Sequence, residues 1–322
     1  MEKSSRPDGI VLADVGGTNV RFAIARNGTP GPIAHLSVAD YPQFGDALAA
    51  FLERQATRVS VGRAILGVAG FVENDHCALT NNPWVVSAKE LRARFGLSHV
   101  RIVNDFEAIA WSLPHLAAAD LCAIGGQAPK PGAPKVVLGP GTGLGVAAYL
   151  HGKDGDVVIG GEGGHASLAS SSPREDAIVA RLRSQYGHVS AERALSGDGL
   201  TNLYHAIAAL DCVSVPERNA AEITEAAIEG RCATSRAAVD SFCSFLGSVA
   251  GNLALSFGAQ GGIYIAGGIV SHIRDYLLKS EFRSRFEAKG RLRRYLQTVP
   301  VYLILHADPA FLGLQALATV RQ

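Results

Sequence analysis

A chain of 322 residues, 48% hydrophobic and 18% charged, is long enough for a large buried core and for one or two domains. Thirty basic residues against 29 acidic ones leave a formal charge of +1, so no whole-molecule field draws it to nucleic acid or an anionic membrane. Five cysteines (Cys77, Cys122, Cys212, Cys232, Cys243) lie far apart with neither a C-x-x-C pair nor zinc-ligand spacing, which fits buried thiols in a reducing compartment.

Met1 to Gly9 is polar and lacks the apolar stretch of a signal peptide. No uninterrupted apolar run approaches the ~18 residues of a membrane span, so a soluble, cytoplasmic protein is expected. The apolar run Ile10 to Val15 ends in Gly16-Gly17-Thr18-Asn19, and Val20 to Ala25 resumes an extended pattern: two strands joined by a tight turn. A helix is expected over Phe44 to Arg54, a strand over Arg63 to Ala69, and a helix over Ser87 to Phe95. Ser87 with Glu90 three residues later is a capping-box signature. A strand follows over Val100 to Val103, with a helix opening at Asp105.

Lys135 to Leu138, the turn Gly139-Pro140-Gly141-Thr142-Gly143, and Leu144 to Leu150 repeat the strand–glycine turn–strand unit about 125 residues downstream. That spacing suits a duplicated domain, not a solenoid. The stretch Gly125 to Pro134 reads as a surface loop. Ala238 to Phe257 places Phe242, Phe245, Leu246, Val249 and Leu253 on one helical face. Gly262 to Ala266 reads as a strand followed by Gly267-Gly268. The basic run Arg283 to Arg294, interrupted by Glu287, reads as a solvated helix face. A last strand covers Val299 to Leu305, and a last helix, Pro309 to Val320, has Pro at its first turn. Alternating strands and helices in two related halves argue for an α/β fold of two domains with a cleft between them.

A phosphate chain must be met by closely packed N–H donors, and glycine alone lets the backbone approach that closely. Asp14-Val15-Gly16-Gly17-Thr18-Asn19 and Gly141-Thr142-Gly143-Leu144-Gly145 both offer this, each with a Thr hydroxyl. Taken singly, either could be only a tight turn. A carboxylate at Asp14 beside polyphosphate implies an intervening Mg²⁺ held through water, although an Asp can also simply close a turn. The P-loop pattern and a G-x-G-x-x-G fingerprint opening a helix are both missing from the sequence.

Polar groups also gather at Thr80-Asn81-Asn82, Asn104-Asp105, Glu162-Gly163-Gly164-His165 and Ala191-Glu192-Arg193. They are the carboxylates and amides that a ligand rich in hydroxyls requires. Asp105 follows an apolar strand and opens a helix. That position serves equally an ordinary N-cap and a carboxylate facing the crevice of an α/β protein, where it could act as a general base. Glu192 could equally begin a helix.

In this order, Asp14-Val15-Gly16-Gly17-Thr18-Asn19, Asn104-Asp105-Phe106, Gly141-Thr142-Gly143-Leu144-Gly145, Gly161-Glu162-Gly163-Gly164-His165, Ser190-Ala191-Glu192-Arg193 and Ala266-Gly267-Gly268-Ile269 resemble the bacterial glucokinase family, from about Val11 to Gly313. The resemblance implies the two-domain actin-like ATPase fold, with duplicated ribonuclease H-like domains. The small domain would be residues 1–110 completed by 307–322, and the large one 111–306. It implies ATP and Mg²⁺, D-glucose as acceptor, and a homodimer. Asp105 would be the catalytic base, with Asn81, Asn104, Glu162, His165 and Glu192 as glucose ligands. Ala13 to Asn19 (Ala13, Asp14, Val15, Gly16, Gly17, Thr18, Asn19) and Gly141, Thr142 and Gly143 resemble phosphate loops. Gly267 and Gly268 resemble the adenosine-side loop. No protein-ligated metal is implied. The family often has a Pro after the strand ending at Ala69, where this chain has Gly70-Phe71. Another hexose as acceptor, or a non-catalytic sugar-sensing relative, stays open at this point.

Overall fold

The computed structural model describes residues 9–26, 29–55, 60–79 and 82–320. The chain divides into two compact units, Met1–Leu116 with His306–Gln322, and Ala117–Leu305.

In the first unit the strands are β1 (Gly9–Val15), β2 (Asn19–Arg26), β3 (Thr29–Pro30), β4 (Ala34–Ser37), β5 (Val61–Val68), a small hairpin of β6 (His76–Ala78) and β7 (Val85–Ser87), and β8 (His99–Asn104). The helices are α1 (Phe44–Glu53), α2 (Ala88–Phe95) and α3 (Asp105–Ser112). The main sheet runs β3-β2-β1-β5-β8, with β4 also on β2. β1 and β2 pair antiparallel, while β1–β5 and β5–β8 are parallel. β1 is buried along almost its whole length, as a central strand covered on both faces must be, and its sequence is accordingly nearly all apolar. One face is filled by an aromatic cluster in which Phe22 stacks on Phe51 at 5.1 Å and Phe44 meets the edge of Trp84 at 6.0 Å. On α3 packs the C-terminal helix, Pro309–Thr319, so closely that a Cβ added at Gly313 would overlap the Ala108 carbonyl oxygen.

The second unit holds β9 (Leu121–Gly125), β10 (Lys135–Pro140), β11 (Leu144–Leu150), β12 (Val157–Gly161), β13 (Gly262–Ile265) and β14 (Val301–Ile304). Their order is β12-β11-β10-β13-β14-β9. An antiparallel hairpin (β10–β11) followed by two parallel neighbours (β13, β14) repeats the β1–β2, β5, β8 arrangement. The duplication legible in the glycine turns is thus also a duplication of topology. The helices are α4 (Pro173–Tyr186), α5 (Gly197–Leu210), α6 (Ala220–Ile228), α7 (Ala233–Phe257), α8 (Gly268–His272), α9 (Arg274–Lys279), α10 (Phe282–Glu287) and α11 (Arg293–Thr298).

Two sequence expectations change here. α7 was expected from Ala238 with one apolar face, but it begins at Ala233 and is buried on every side from Phe242 to Ser248, while Val249 and Leu253 are half-buried. The reason is that α5, α6 and α10 all pack against it. By length and composition α7 could cross a membrane, yet it is mostly buried inside this unit. The basic run is not simply a solvated face. Arg283 donates to the carbonyls of Leu296, Gln297 and Val299, and Arg285 pairs with Glu175, only 6% exposed. Lys289 donates to the Ser248 carbonyl and to Asn252. Arg291, Arg293 and Arg294 remain exposed, whereas Arg283 is turned toward the C-terminal end of α11, and Arg285 and Lys289 are turned toward Ser248 and Asn252 of α7.

Candidate functional site

The first glycine turn is held from three directions. Gly16 N–H donates to the Asn19 carbonyl at 3.0 Å, closing the hairpin, and Thr18 accepts through its carbonyl from Val38 N–H at 2.9 Å. Asn82 Nδ2 donates to the Gly17 carbonyl at 3.2 Å, while its Oδ1 accepts from Trp84 N–H at 2.8 Å. A buried tryptophan therefore anchors the amide that fixes the turn. At the strand end Ala13 and Val15 are buried, whereas Asp14 is half-buried and faces Arg21 in the β1–β2 register. Arg21 donates to Asp14 Oδ2 from both Nε and Nη2, and from Nη1 to Asp308 Oδ1 at 2.6 Å. Its guanidinium also lies over the Phe311 ring.

Asp105 stands at the end of β8, which is separated from β1 in the sheet by β5, as the first residue of α3. The N-cap is not Asp105 but Asn104, whose Oδ1 accepts from Phe106 N–H at 2.8 Å. Asn104 Nδ2 reaches the Gly70 carbonyl at 3.2 Å. Gly70 sits where the glucokinase-like pattern often has proline. A Cβ there would lie 2.8 Å from Cys77 Sγ, so a side chain at this position would have to displace that thiol of the small hairpin. Asp105 Oδ1 also accepts from Phe106 N–H at 2.9 Å. Burial, and secondarily the negative charge of Asp14, push the Asp105 carboxyl up to about 7, against the partial stabilisation of the anion by these hydrogen bonds. A carboxylate poised near neutrality at the end of a strand has the proton affinity of a general base.

In the second unit the turn Gly141-Thr142-Gly143 is closed by Gly141 N–H donating to the Gly143 carbonyl at 2.8 Å, and Thr142 is exposed at its tip. The 3₁₀ turn Ala191–Arg193 lies against it, with Glu192 Oε2 accepting from Leu144 N–H at 2.9 Å. Glu162 precedes, and His165 ends, a second 3₁₀ turn, Gly163–His165, pressed onto β11. A Cβ at Gly164 would overlap the Leu144 carbonyl, and one at Gly163 would meet Val146 at 3.1 Å. Both side chains are well exposed, with His165 Nε2 and Glu162 Oε2 3.9 Å apart. Ala191 N–H donates to the Ala166 carbonyl at 2.8 Å, joining the two 3₁₀ segments. Gly267, at φ 110°, presses on Pro140 at the end of β10, where its missing side chain leaves room for the Pro140 carbonyl; Gly268 opens α8.

Within each unit the expected residues therefore come together. The first unit groups Ala13 to Asn19 with Asn104 and Asp105, and the second groups Glu162, His165, Glu192, Gly141 to Gly143, Gly267 and Gly268. Asn81 lies outside the described residues. Reading the sequence missed Arg21 and Asp308. Arg21 could have been flagged by its place directly across the hairpin from Asp14, but nothing local points from Arg21 to a residue 287 positions away. Among the described residues no cluster of three or more His, Cys, Asp or Glu side chains could hold a metal ion by itself.

The family model described as Glucokinase matches residues 11–321. The chain is 44% identical over 314 residues to the glucokinase of Paramagnetospirillum magneticum, covering 96% of this chain and 97% of that protein. The crystal structure of a glucokinase from an Antarctic psychrotroph is 33% identical and superposes with a TM-score of 0.86, covering 97% of this chain and 99% of the other. Two distant structures share the fold: a Balamuthia mandrillaris glucokinase in complex with glucose (20% identity, TM-score 0.81, 98% and 94% covered) and a ROK family glucokinase from Streptomyces griseus in complex with glucose and AMPPNP (19%, 0.64, 96% and 98%). The architecture is thus the mixed-sheet α/β fold of the sugar kinases and actin-like ATPases.

Proposed function

The chain belongs to the glucokinase family, and on that premise we propose that it transfers the γ-phosphoryl group of ATP to the 6-hydroxyl of D-glucose, with Asp105 as the general base. The observation that carries the assignment of the base is the Asp105 carboxyl, held at the end of β8 and pushed up to about 7 by burial and by the charge of Asp14. Asp105 orients the sugar hydroxyl and takes its proton as the phosphoryl group arrives. Glu162, His165 and Glu192, with Asn104 and Asn81, receive the other hydroxyls. The amides of Gly16, Gly17 and Gly141 to Gly143 meet the phosphates, and Gly267-Gly268 lies on the adenosine side. Positioning and electrostatics supply most of the rate in phosphoryl transfer.

A Mg²⁺ ion fits this donor set as a guest of the nucleotide. Asp14 is the acidic side chain at the first turn, Arg21 engages only its Oδ2, and phosphate oxygens and water would complete the shell. When bound, the ion neutralises charge on the phosphates. Water is smaller than glucose and could attack in its place, so sugar binding is proposed to complete the site and suppress ATP hydrolysis. A fast ATPase indifferent to glucose would sink that step. A cytoplasmic homodimer rests on the family resemblance.

The test is a coupled assay of ADP release with wild type and Asp105→Ala, with and without glucose. Glucose-dependent release, with kcat down by about 10² or more in the variant, is expected for loss of a general base. Wild type that binds glucose but releases no ADP would overturn the kinase reading. A variant keeping a tenth of wild-type kcat would remove Asp105 from the role of base.

A further inference from the structure

We propose that Glu192 is a positioning residue for the nucleotide-side turn, so that the carboxylate that receives the sugar also sets the shape of Gly141 to Gly143. The inference rests on the kinase reading above and adds a link between its two substrates. Glu192 Oε2 accepts from Leu144 N–H at 2.9 Å, at the first residue after the turn. The contact is tight: a Cβ added at Gly143 would stand 2.5 Å from the same oxygen. The other end of the turn is tied to the same segment, since Gly197 N–H donates to the Gly141 carbonyl at 2.9 Å. Ser196 locks that segment by donating to the Glu192 carbonyl at 2.9 Å while accepting from Gly199 N–H at 2.9 Å. Both ends of the phosphate-side turn therefore hang on residues 192–197.

A carboxylate has acceptor capacity for several donors, and the bond to Leu144 uses one oxygen. Oε1 remains for a sugar hydroxyl, so one side chain can hold the turn and the sugar at once. A hydroxyl donated to Oε1 restrains the carboxylate in the position from which Oε2 accepts from Leu144 N–H, and so holds the turn in shape. Sugar binding then tightens nucleotide binding, and the nucleotide must tighten sugar binding by the same factor.

Calorimetric titration with a non-hydrolysable ATP analogue and Mg²⁺, with and without glucose, tests this on wild type, Glu192→Ala, Glu192→Gln and Gly143→Ala. In the absence of sugar, Glu192→Ala is expected to raise the analogue Kd about 5- to 10-fold, the scale of one lost hydrogen bond. Glu192→Gln, whose amide oxygen still accepts from Leu144 N–H, should stay within about 2-fold. Glucose should tighten analogue binding in wild type and fail to do so in Glu192→Ala. Gly143→Ala, a methyl on the nucleotide-side turn that displaces the carboxylate, should weaken glucose binding as well. A Glu192→Ala protein that loses glucose affinity but keeps the sugar-free analogue Kd of wild type would overturn the positioning role and leave the kinase reading standing. So would Gly143→Ala with unaltered glucose affinity. Wild type that binds neither ligand would instead overturn the kinase reading itself.

Discussion

Arg21 and Asp14 face each other across the first hairpin, and Arg21 donates to Asp14 Oδ2 from Nε at 2.9 Å and from Nη2 as well. The same guanidinium reaches Asp308, the residue before the C-terminal helix, so one cation joins the first glycine hairpin to the last helix of its unit. Two carboxylates share it, and neither is fully exposed.

Arg21→Met leaves Asp14 and Asp308 without their common cation. It is expected to cost about 1–3 kcal/mol in urea denaturation, below the roughly 3–5 kcal/mol of a fully buried pair because these side chains keep some water. The KM for MgATP should rise more than the KM for glucose, since Asp14 borders the phosphate-side turn. Arg21→Lys, lacking the planar fork, should recover only part of either loss. Equal effects on both KM values would show that Arg21 acts only through overall stability.

The pH dependence of kcat/KM follows from Asp105. A general base must be deprotonated, so the rate should fall on the acid side of an apparent pKa near 7, one decade per pH unit. Asp105→Glu should alter that limb, whereas Glu90→Gln, on the exposed side of α2, should leave it in place. A profile flat from pH 5 to 8 in steady-state assays would contradict the position of Asp105.

The same shift has a stability consequence with a fixed sign. The folded Asp105 carboxyl lies above its ordinary value of 3.8, at about 7, so the folded state holds more protons than the unfolded state between those two values. This stability is present below about pH 4 and is lost as pH rises through about 7. Asp105→Asn, neutral and nearly isosteric, should therefore be more stable than wild type above pH 7, by about 1–3 kcal/mol, and lose that advantage near pH 4. Thermal melts at pH 4.5 and 8 would show it. A variant equally destabilised at both pH values would contradict it.

Gly313→Ala should be among the costly single-methyl changes. Its Cβ would overlap the Ala108 carbonyl in α3, and α3 carries Asp105 at its first position. The two helices must separate, at about 2–3 kcal/mol by the usual cost of overpacking. Because α3 must move, kcat should fall along with the melting temperature. An unchanged kcat alongside a lowered melting temperature would mean that Asp105 does not follow its helix.

Much of the local structure was legible from neighbouring residues. Ser87 does accept from Glu90 N–H, at 3.4 Å, and Pro309 stands at the first turn of the last helix, as their positions in the sequence predict. The glycine turns fall after apolar runs because those runs are the central strands β1 and β10. The cap of α3 was less legible. Asn104 and Asp105 are both competent N-caps by residue type, and only the geometry of the strand end gave the cap to Asn104. The basic run was misread for a similar reason: its interrupted charge pattern assigned Arg283 and Arg285 to a solvated surface, while packing brought Arg283 to the carbonyls at the end of α11 and Arg285 to Glu175 and Ser248.

By itself the sequence determined the eight strands that form the duplicated core of the two sheets (β1, β2, β5, β8, β10, β11, β13 and β14), five of the helices, the two glycine turns and the residue types gathered at strand ends. Those are set by interactions over a few residues, through backbone propensity, capping and the alternation of apolar side chains. Only the tertiary structure decided which groups meet: Arg21 with Asp308 across 287 positions, Glu192 with Leu144 N–H across 48, and Asp105 buried, and brought near Asp14, so that its carboxyl rises. Such meetings follow from the order in which strands join a sheet and from the burial that order imposes. Periodicity carries no information about either.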